Sequence, residues 1–169
     1  MSELSTADRL QPSLLDRLTD DNPGAKQESR EKRIMSMRQL RAAVLRDLEF
    51  LLNASGQPRF EEIHQYPYVA KSVINYGIPD MTGLTTSGIT PGQLERVVLD
   101  AIHHFEPRIV RDGLSVRAIA KENAWGQETD QKFEFEISGD FCPLPMPESL
   151  YVRTEVDLET GRCEIRDKA

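Results

Sequence analysis

The sequence predicts an α+β domain: two main helices and a short connector helix packed on one face of a small, mainly antiparallel sheet. Three observations predict it. Apolar residues recur at helical spacing in two long stretches before residue 106. After Pro107 the period changes to an alternation of apolar and charged residues, in segments of strand length. Turn signals separate those segments, and helices first with strands afterwards segregate into layers.

Residues 1–11 are polar and read as a tail. Leu14, Leu15 and Leu18 then fall at helical spacing in a segment too short to be stable alone. Asp20-Asp21-Asn22-Pro23-Gly24 breaks the chain after it. A short apolar turn set apart by a breaker suits docking on a partner; packing back on its own domain suits it equally. The chain thus divides into an extension, residues 1–30, with a docking segment at 12–18, and one α+β domain, residues 31–169. The first main helix begins between Glu28 and Ser36. Ser36-Met37-Arg38-Gln39 is its candidate capping box, and the basic run before it is also compatible with helix. Leu40, Val44, Leu48, Leu51 and Leu52 form its stripe, Arg38, Arg41 and Arg46 lie on its other sides, and Asn53-Ala54-Ser55-Gly56 closes it.

Residues 60–90 form a connector rich in breakers, with one helical stretch around residues 68–76 and a flexible loop at 82–88. Thr90-Pro91-Gly92-Gln93 opens the second main helix as a capping box with proline at the first helical position. Leu94, Val97, Val98, Ala101, Ile102 and Phe105 line one face. Pro107 has no N–H and disfavours the α region at Glu106, so the helix ends near Phe105. Ile109 and the alternation Leu114, Val116, Ala118, Ala120 read as a first strand. Residues 126–130 read as a turn, and Phe133, Phe135 and Ile137 as a second strand. Pro143, Pro145 and Pro147 carry the chain around an edge. Leu150, Val152, Thr154, Val156 and Leu158 alternate in a third strand. Glu159-Thr160-Gly161-Arg162 is a tight turn into Cys163 and Ile165.

With 169 residues, 38% hydrophobic and 29% charged, the chain is long enough for one domain with a core and a tail. A net charge of −7 argues against general nucleic-acid binding. The charge is uneven: residues 26–46 carry seven basic residues against two acidic ones, and residues 128–169 carry eleven acidic against five basic. Two solvated faces account for this, although such asymmetry also orients a protein in an assembly. Two distant cysteines make neither a zinc site nor a redox motif, and without a secretory signal they read as cytosolic thiols. No stretch is apolar enough to span a bilayer.

The residues with the sharpest chemistry are Glu106, Pro107 and Arg108. In an extended path after the helix, Glu106 and Arg108 point to one side, roughly 6.6 Å apart at ~3.3 Å per residue. An acceptor and a forked donor held beside a proline make a grip for a partner. The alternative is an internal pair bracing the helix-to-strand corner. Both remain open from the residues alone.

Glu106-Pro107-Arg108 after the long helix resembles the TssE family, the baseplate subunits of bacterial type VI secretion systems, related to the wedge proteins of contractile phage tails. Residues 12–18, Leu40-Arg41, the run from Arg46 to Asn53, Tyr66-Pro67 and the run from Ser72 to Asp80 resemble further family segments in the same order. The resemblance implies a non-catalytic structural role: joining the wedge complex and initiating polymerisation of the contractile sheath. Its implied partners are the wedge subunits TssF, TssG and TssK and the sheath proteins TssB and TssC. Glu106, Pro107, Arg108, Leu14, Leu15 and Leu18 are its implied partner-binding residues. The implied sheet for the first sheath ring is that of the acidic strands beginning at Phe133 and Leu150. The implied location is the cytoplasm, at the cytoplasmic face of the inner membrane. A bacterial anti-adaptor that shields a stress sigma factor resembles this domain in fold, which gives a regulatory binding module as the alternative.

Some phage relatives bear a lysozyme-like label, but the residues disfavour a cell-wall glycosidase. Glu106 beside Arg108 is a poor acid, other carboxylates lie in charged strands, and Trp125 is the sole tryptophan. His103 and His104 are neighbours on a helix and point apart, and His64 lies in the connector, so no chelating set forms. There is neither a nucleophile elbow nor a phosphate-binding glycine loop. No catalytic residue, metal or cofactor is expected.

Overall fold

A computed structural model describes residues 13–19, 24, 35–56, 65–79, 90–122, 128–141, 149–157 and 160–167. It is an α+β fold. A four-stranded antiparallel sheet runs in the order β3 (Ser115–Glu122), β4 (Glu128–Asp140), β5 (Ser149–Asp157), β6 (Cys163–Asp167). The two main helices, α2 (Met37–Asn53) and α4 (Pro91–Phe105), pack on one face of it.

The helix signals act as their chemistry requires. The Gln39 N–H donates to Ser36 Oγ at 3.3 Å, and the Ser36 N–H donates to Gln39 Oε1 at 2.9 Å. These bonds satisfy donors that the first helical turn leaves open. At α4, Gln93 Oε1 accepts from the Thr90 N–H at 2.9 Å and from the Thr90 hydroxyl at 3.1 Å. The α2 stripe is buried, as are Leu94, Val98, Ala101 and Ile102 of α4, with Val44, Leu48 and Ile102 wholly so; Val97 and Phe105 are half-buried. They meet Phe135, Ile137, Leu150, Val152 and Val156 on the inner sheet face. Full burial of each such side chain contributes about 1.5–3 kcal/mol.

The register explains the alternation. Ala118, Phe135, Thr154 and Ile165 form one row across the sheet on the inner face. Arg117, Glu136, Arg153 and Arg166 form a row on the outer face. Phe135 is buried, but the Phe133 side chain lies outside the described residues. β4 begins at Glu128, so residues 128–130, read from sequence as turn, are strand. Pairing with β3 reaches back to Glu122↔Glu128: a long partner strand overrides weak turn propensity. The acidic strands β4 and β5 are central, and the edges are β3 and β6. The proline run at 143–147, the loop at 82–88 and the basic run before Met35 lie outside the described residues.

The connector departs most from its sequence reading. Its helical stretch splits into α3 (Pro67–Ala70) and a 3-10 turn (Val73–Asn75), divided where Ser72 Oγ accepts from the Ile74 N–H. Neither piece buries a residue. The chain then returns to the end of α2, where β1 (Ser55–Gly56) pairs in parallel with β2 (Ile78–Pro79), a contact with no sequence signal.

Helix side chains cap both sheet edges. Glu95 of α4 accepts the Ala118 N–H of β3 at 2.8 Å. Asn53 of α2 accepts the Cys163 N–H of β6 and donates to its carbonyl, both at 2.9 Å. Such caps discourage edge-to-edge association. Cys163 is free and 1% exposed. Burial first, and then the charge of Glu49, pushes its thiol up to about 12 from 9.0. The unfolded chain loses this proton before the folded one, so the thiol's contribution to stability falls as pH rises from about 9 to 12. Correspondingly, Cys163 should resist alkylation at pH 8 in the native protein and react once urea unfolds it. Rapid native alkylation would contradict its burial beneath α2.

Candidate functional site

Glu106 is the C-cap of α4, its N–H donating to Ile102 O at 2.9 Å. A carboxylate here faces the negative end of the helix dipole and needs compensation. Arg108 supplies it. The path is a turn rather than the extended segment expected from Pro107: the Ile109 N–H reaches Glu106 O at 3.3 Å. The turn folds Arg108 back onto Glu106. Glu106 Oε1 accepts the Arg108 backbone N–H at 3.1 Å and Nε–H at 2.7 Å, and Oε2 accepts from Nη2 at 2.5 Å. The two groups bond each other instead of standing apart. Glu106 is 4% exposed, so the internal brace is present, and Pro107 between the partners is exposed.

The pair is one end of a longer row. Arg108 Nη2 also donates to Asp47 Oδ2 of α2 at 2.6 Å. Asp47 Oδ1 accepts from Arg46 Nε at 2.9 Å and Nη2 at 2.7 Å. Arg46 Nη1 reaches Asp16 Oδ1 at 2.7 Å. Asp16 lies in α1 (Leu14–Leu18), where its Oδ2 also accepts the Ser13 hydroxyl and N–H. Burial would raise the Asp16 carboxyl, but hydrogen bonds from Ser13 and Arg46 outweigh it and hold it below its usual value. Burial would likewise lower Arg108, yet the Glu106 bonds and charge, followed by those of Asp47, raise it well above the ordinary guanidinium range. Tyr76 packs edge-on to Phe105 at 5.2 Å between centroids. Its phenol is raised by burial and then by the Asp47 and Glu106 charges. Among the described residues, Arg108 Nη1 and His103 Nε2 are buried without a hydrogen-bond partner.

The structure therefore brings three of the six sequence-chosen residues, Glu106, Pro107 and Arg108, to one network or beside it, and leaves Leu14, Leu15 and Leu18 exposed at 72%, 49% and 74%. The leucines belong to no core of their own. Sequence reasoning missed Asp16, Asp47 and Tyr76, and took Arg46 for decoration. Asp47 had a signal. It lies three or four residues from Ala43, Val44 and Leu51, inside the apolar stripe, where an unpaired carboxylate is costly.

Glu106 has both oxygens engaged by Arg108. The described carboxylates on the outer sheet face are held likewise: Glu136 accepts from Tyr151 and Arg153, and Glu155 lies 3.7 Å from Arg166. His103 and His104 point apart. Among the described residues, no three His, Cys, Asp or Glu groups converge on a metal position, and no helix is long and apolar enough to cross a membrane.

Residues 38–142 match the family model described as baseplate wedge protein gp25. The match runs from the first turn of α2 past the end of β4 and contains Asp47, Glu106, Pro107 and Arg108, while α1, β5 and β6 lie outside it. No curated protein and no solved structure matches.

Proposed function

The chain belongs to the baseplate wedge protein gp25 family, and on that premise we propose that it is a non-catalytic component of a type VI secretion system baseplate. The family, which includes TssE, supports a structural role in a phage-tail-like baseplate. The finer assignment is that the chain works in the cytoplasm at the inner-membrane face. There it joins the wedge subunits TssF, TssG and TssK and starts the sheath built from TssB and TssC. Glu106, Pro107 and Arg108, with the leucines of α1, make the wedge contact.

The observation that carries this reading is the family match over residues 38–142, which contains Glu106, Pro107 and Arg108. The Arg108 side chain stays 24% exposed and Pro107 is exposed, so a partner can approach the corner. Pro107 and the Glu106 bonds fix the guanidinium beforehand, which lowers the ordering cost of binding. For sheath initiation, strand addition is confined to β3 and β6, because β4 and β5 are paired on both sides.

Co-expression with the TssF and TssG subunits of a type VI secretion system from the same organism should yield a co-purifying complex. The purified chain should leave peptidoglycan at the buffer rate. Absence of any complex would remove the wedge assignment. Peptidoglycan turnover that disappears in Glu106→Gln would replace it with an enzymatic one.

A further inference from the structure

β6 is one edge of the four-stranded sheet, and its backbone groups sort into two sets. The Asp157 N–H donates to the Arg162 carbonyl at 3.0 Å, and Glu155 pairs with Glu164 in the same register. Arg162, Glu164 and Arg166 therefore turn their main-chain groups toward β5, and Cys163, Ile165 and Asp167 turn theirs outward. At Cys163 the outward groups are already taken. Asn53 accepts the N–H and donates to the carbonyl, both at 2.9 Å. A carboxamide used in this way imitates the peptide group of a neighbouring strand. Asn53 is itself exposed, so it covers the edge without being part of the core.

The edge under this cover is complementary to itself. In an antiparallel pair centred on Ile165, Ile165 opposes its own counterpart, Cys163 opposes Asp167 of the second copy, and Glu164 opposes Arg166 of the second copy. Glu164 and Arg166 then occupy non-hydrogen-bonded positions, where opposed side chains come closest, and opposite charges there attract. Both side chains are exposed. Centring the pair on Glu164 or on Arg166 would oppose like charges and turn the wrong backbone groups to the interface. Phe50 supplies apolar area beside the strand. It is exposed and lies about 60° around α2 from Asn53, on the side that reaches β6. We propose that β6 is a latent dimerisation edge for a second copy of this chain, held closed by Asn53. Both flanking pairs need the Cys163 groups that Asn53 holds. With the cover in place, only Ile165 and its counterpart can bond across the two-fold axis. Withdrawing Asn53 opens the whole edge.

The test is self-association of the full chain, measured by sedimentation equilibrium, with thermal unfolding as the check that each variant is folded. Asn53→Ala should dimerise about tenfold or more tightly than the wild type, because it frees the Cys163 N–H and carbonyl for a second strand. Asn53→Ser, a smaller change at the same exposed position, is carried in parallel and should act in the same direction. Adding Arg166→Glu to Asn53→Ala should return association to the wild-type level, since like charges then face each other across the edge. Adding Glu164→Arg as well exchanges the two charges and should restore the dimer. Folded Asn53→Ala and Asn53→Ser proteins that associate no more than the wild type overturn the proposal. A dimer that ignores Arg166→Glu, or that the charge exchange fails to restore, forms on another surface and overturns it too. Neither result bears on the wedge reading, which uses other residues.

Discussion

Gly77→Ala is expected to cost roughly 3–5 kcal/mol or to prevent folding. Gly77 has φ +113, a conformation L side chains rarely adopt. An added Cβ would lie 2.0 Å from the Ala54 carbonyl oxygen, 2.6 Å from its carbon and 2.9 Å from the Gly56 nitrogen. All three atoms are backbone, so no side chain can move aside. The same Ala54 oxygen accepts the Ile78 N–H at 3.0 Å, and the β1–β2 pair follows directly. Relief therefore requires the connector to leave the end of α2, withdrawing Ile78, which is 4% exposed, from the core. Gly92→Ala is the control. It meets nothing within 4 Å and lies in the first turn of α4, so it should be neutral or stabilising by about 0.4–1 kcal/mol. Thermal unfolding of the two variants decides the matter. A Gly77→Ala protein melting with the wild type would mean the two backbones do not approach as described.

Arg108→Ala should lower stability by roughly 2–4 kcal/mol, reduced from the value for a fully buried pair because the guanidinium is partly exposed. The mechanism is the stranding of Glu106, which loses two donated side-chain bonds at a buried helix C-terminus and keeps only the one from the backbone N–H of residue 108. Asp47 loses one as well. For a domain of this size the expected fall in Tm is on the order of 5–15 °C. Wedge binding should fall further than the unfolded fraction explains, since Arg108 both braces the corner and is partly exposed at its surface. Arg162→Ala, in the turn between β5 and β6, should change neither property. If Arg108→Ala melts early but its folded fraction binds TssF–TssG at wild-type affinity, the motif is a brace only. If neither Tm nor affinity moves, the corner matters to neither fold nor assembly.

Much of this architecture was legible because its causes are local. Ser36 and Thr90 announce helices since a first turn leaves N–H groups open, and Pro107 ends one by lacking its own. The strands from Phe133 and Leu150 declare a half-buried sheet because side chains alternate between its faces. The family likeness of Glu106-Pro107-Arg108 was equally readable, and the family match over residues 38–142 contains it.

What the sequence could not specify is which groups meet across the chain. Asp47 and Arg108 are 61 residues apart, and Arg46 and Asp16 are 30 apart. No period or capping rule connects positions so distant, so the composition of the corner awaited the packing of α2 against α4. The same holds for the β1–β2 return and for Asn53 at the β6 edge, 110 residues from Cys163. The sequence by itself determined the elements, their order and the one corner worth inspecting, because propensity, capping and alternation act within a few residues. Only the tertiary structure decided that Glu106 and Arg108 pair with each other and that the exposed leucines of α1 are tied to them. Those outcomes depend on which distant charges packing brings within hydrogen-bond reach.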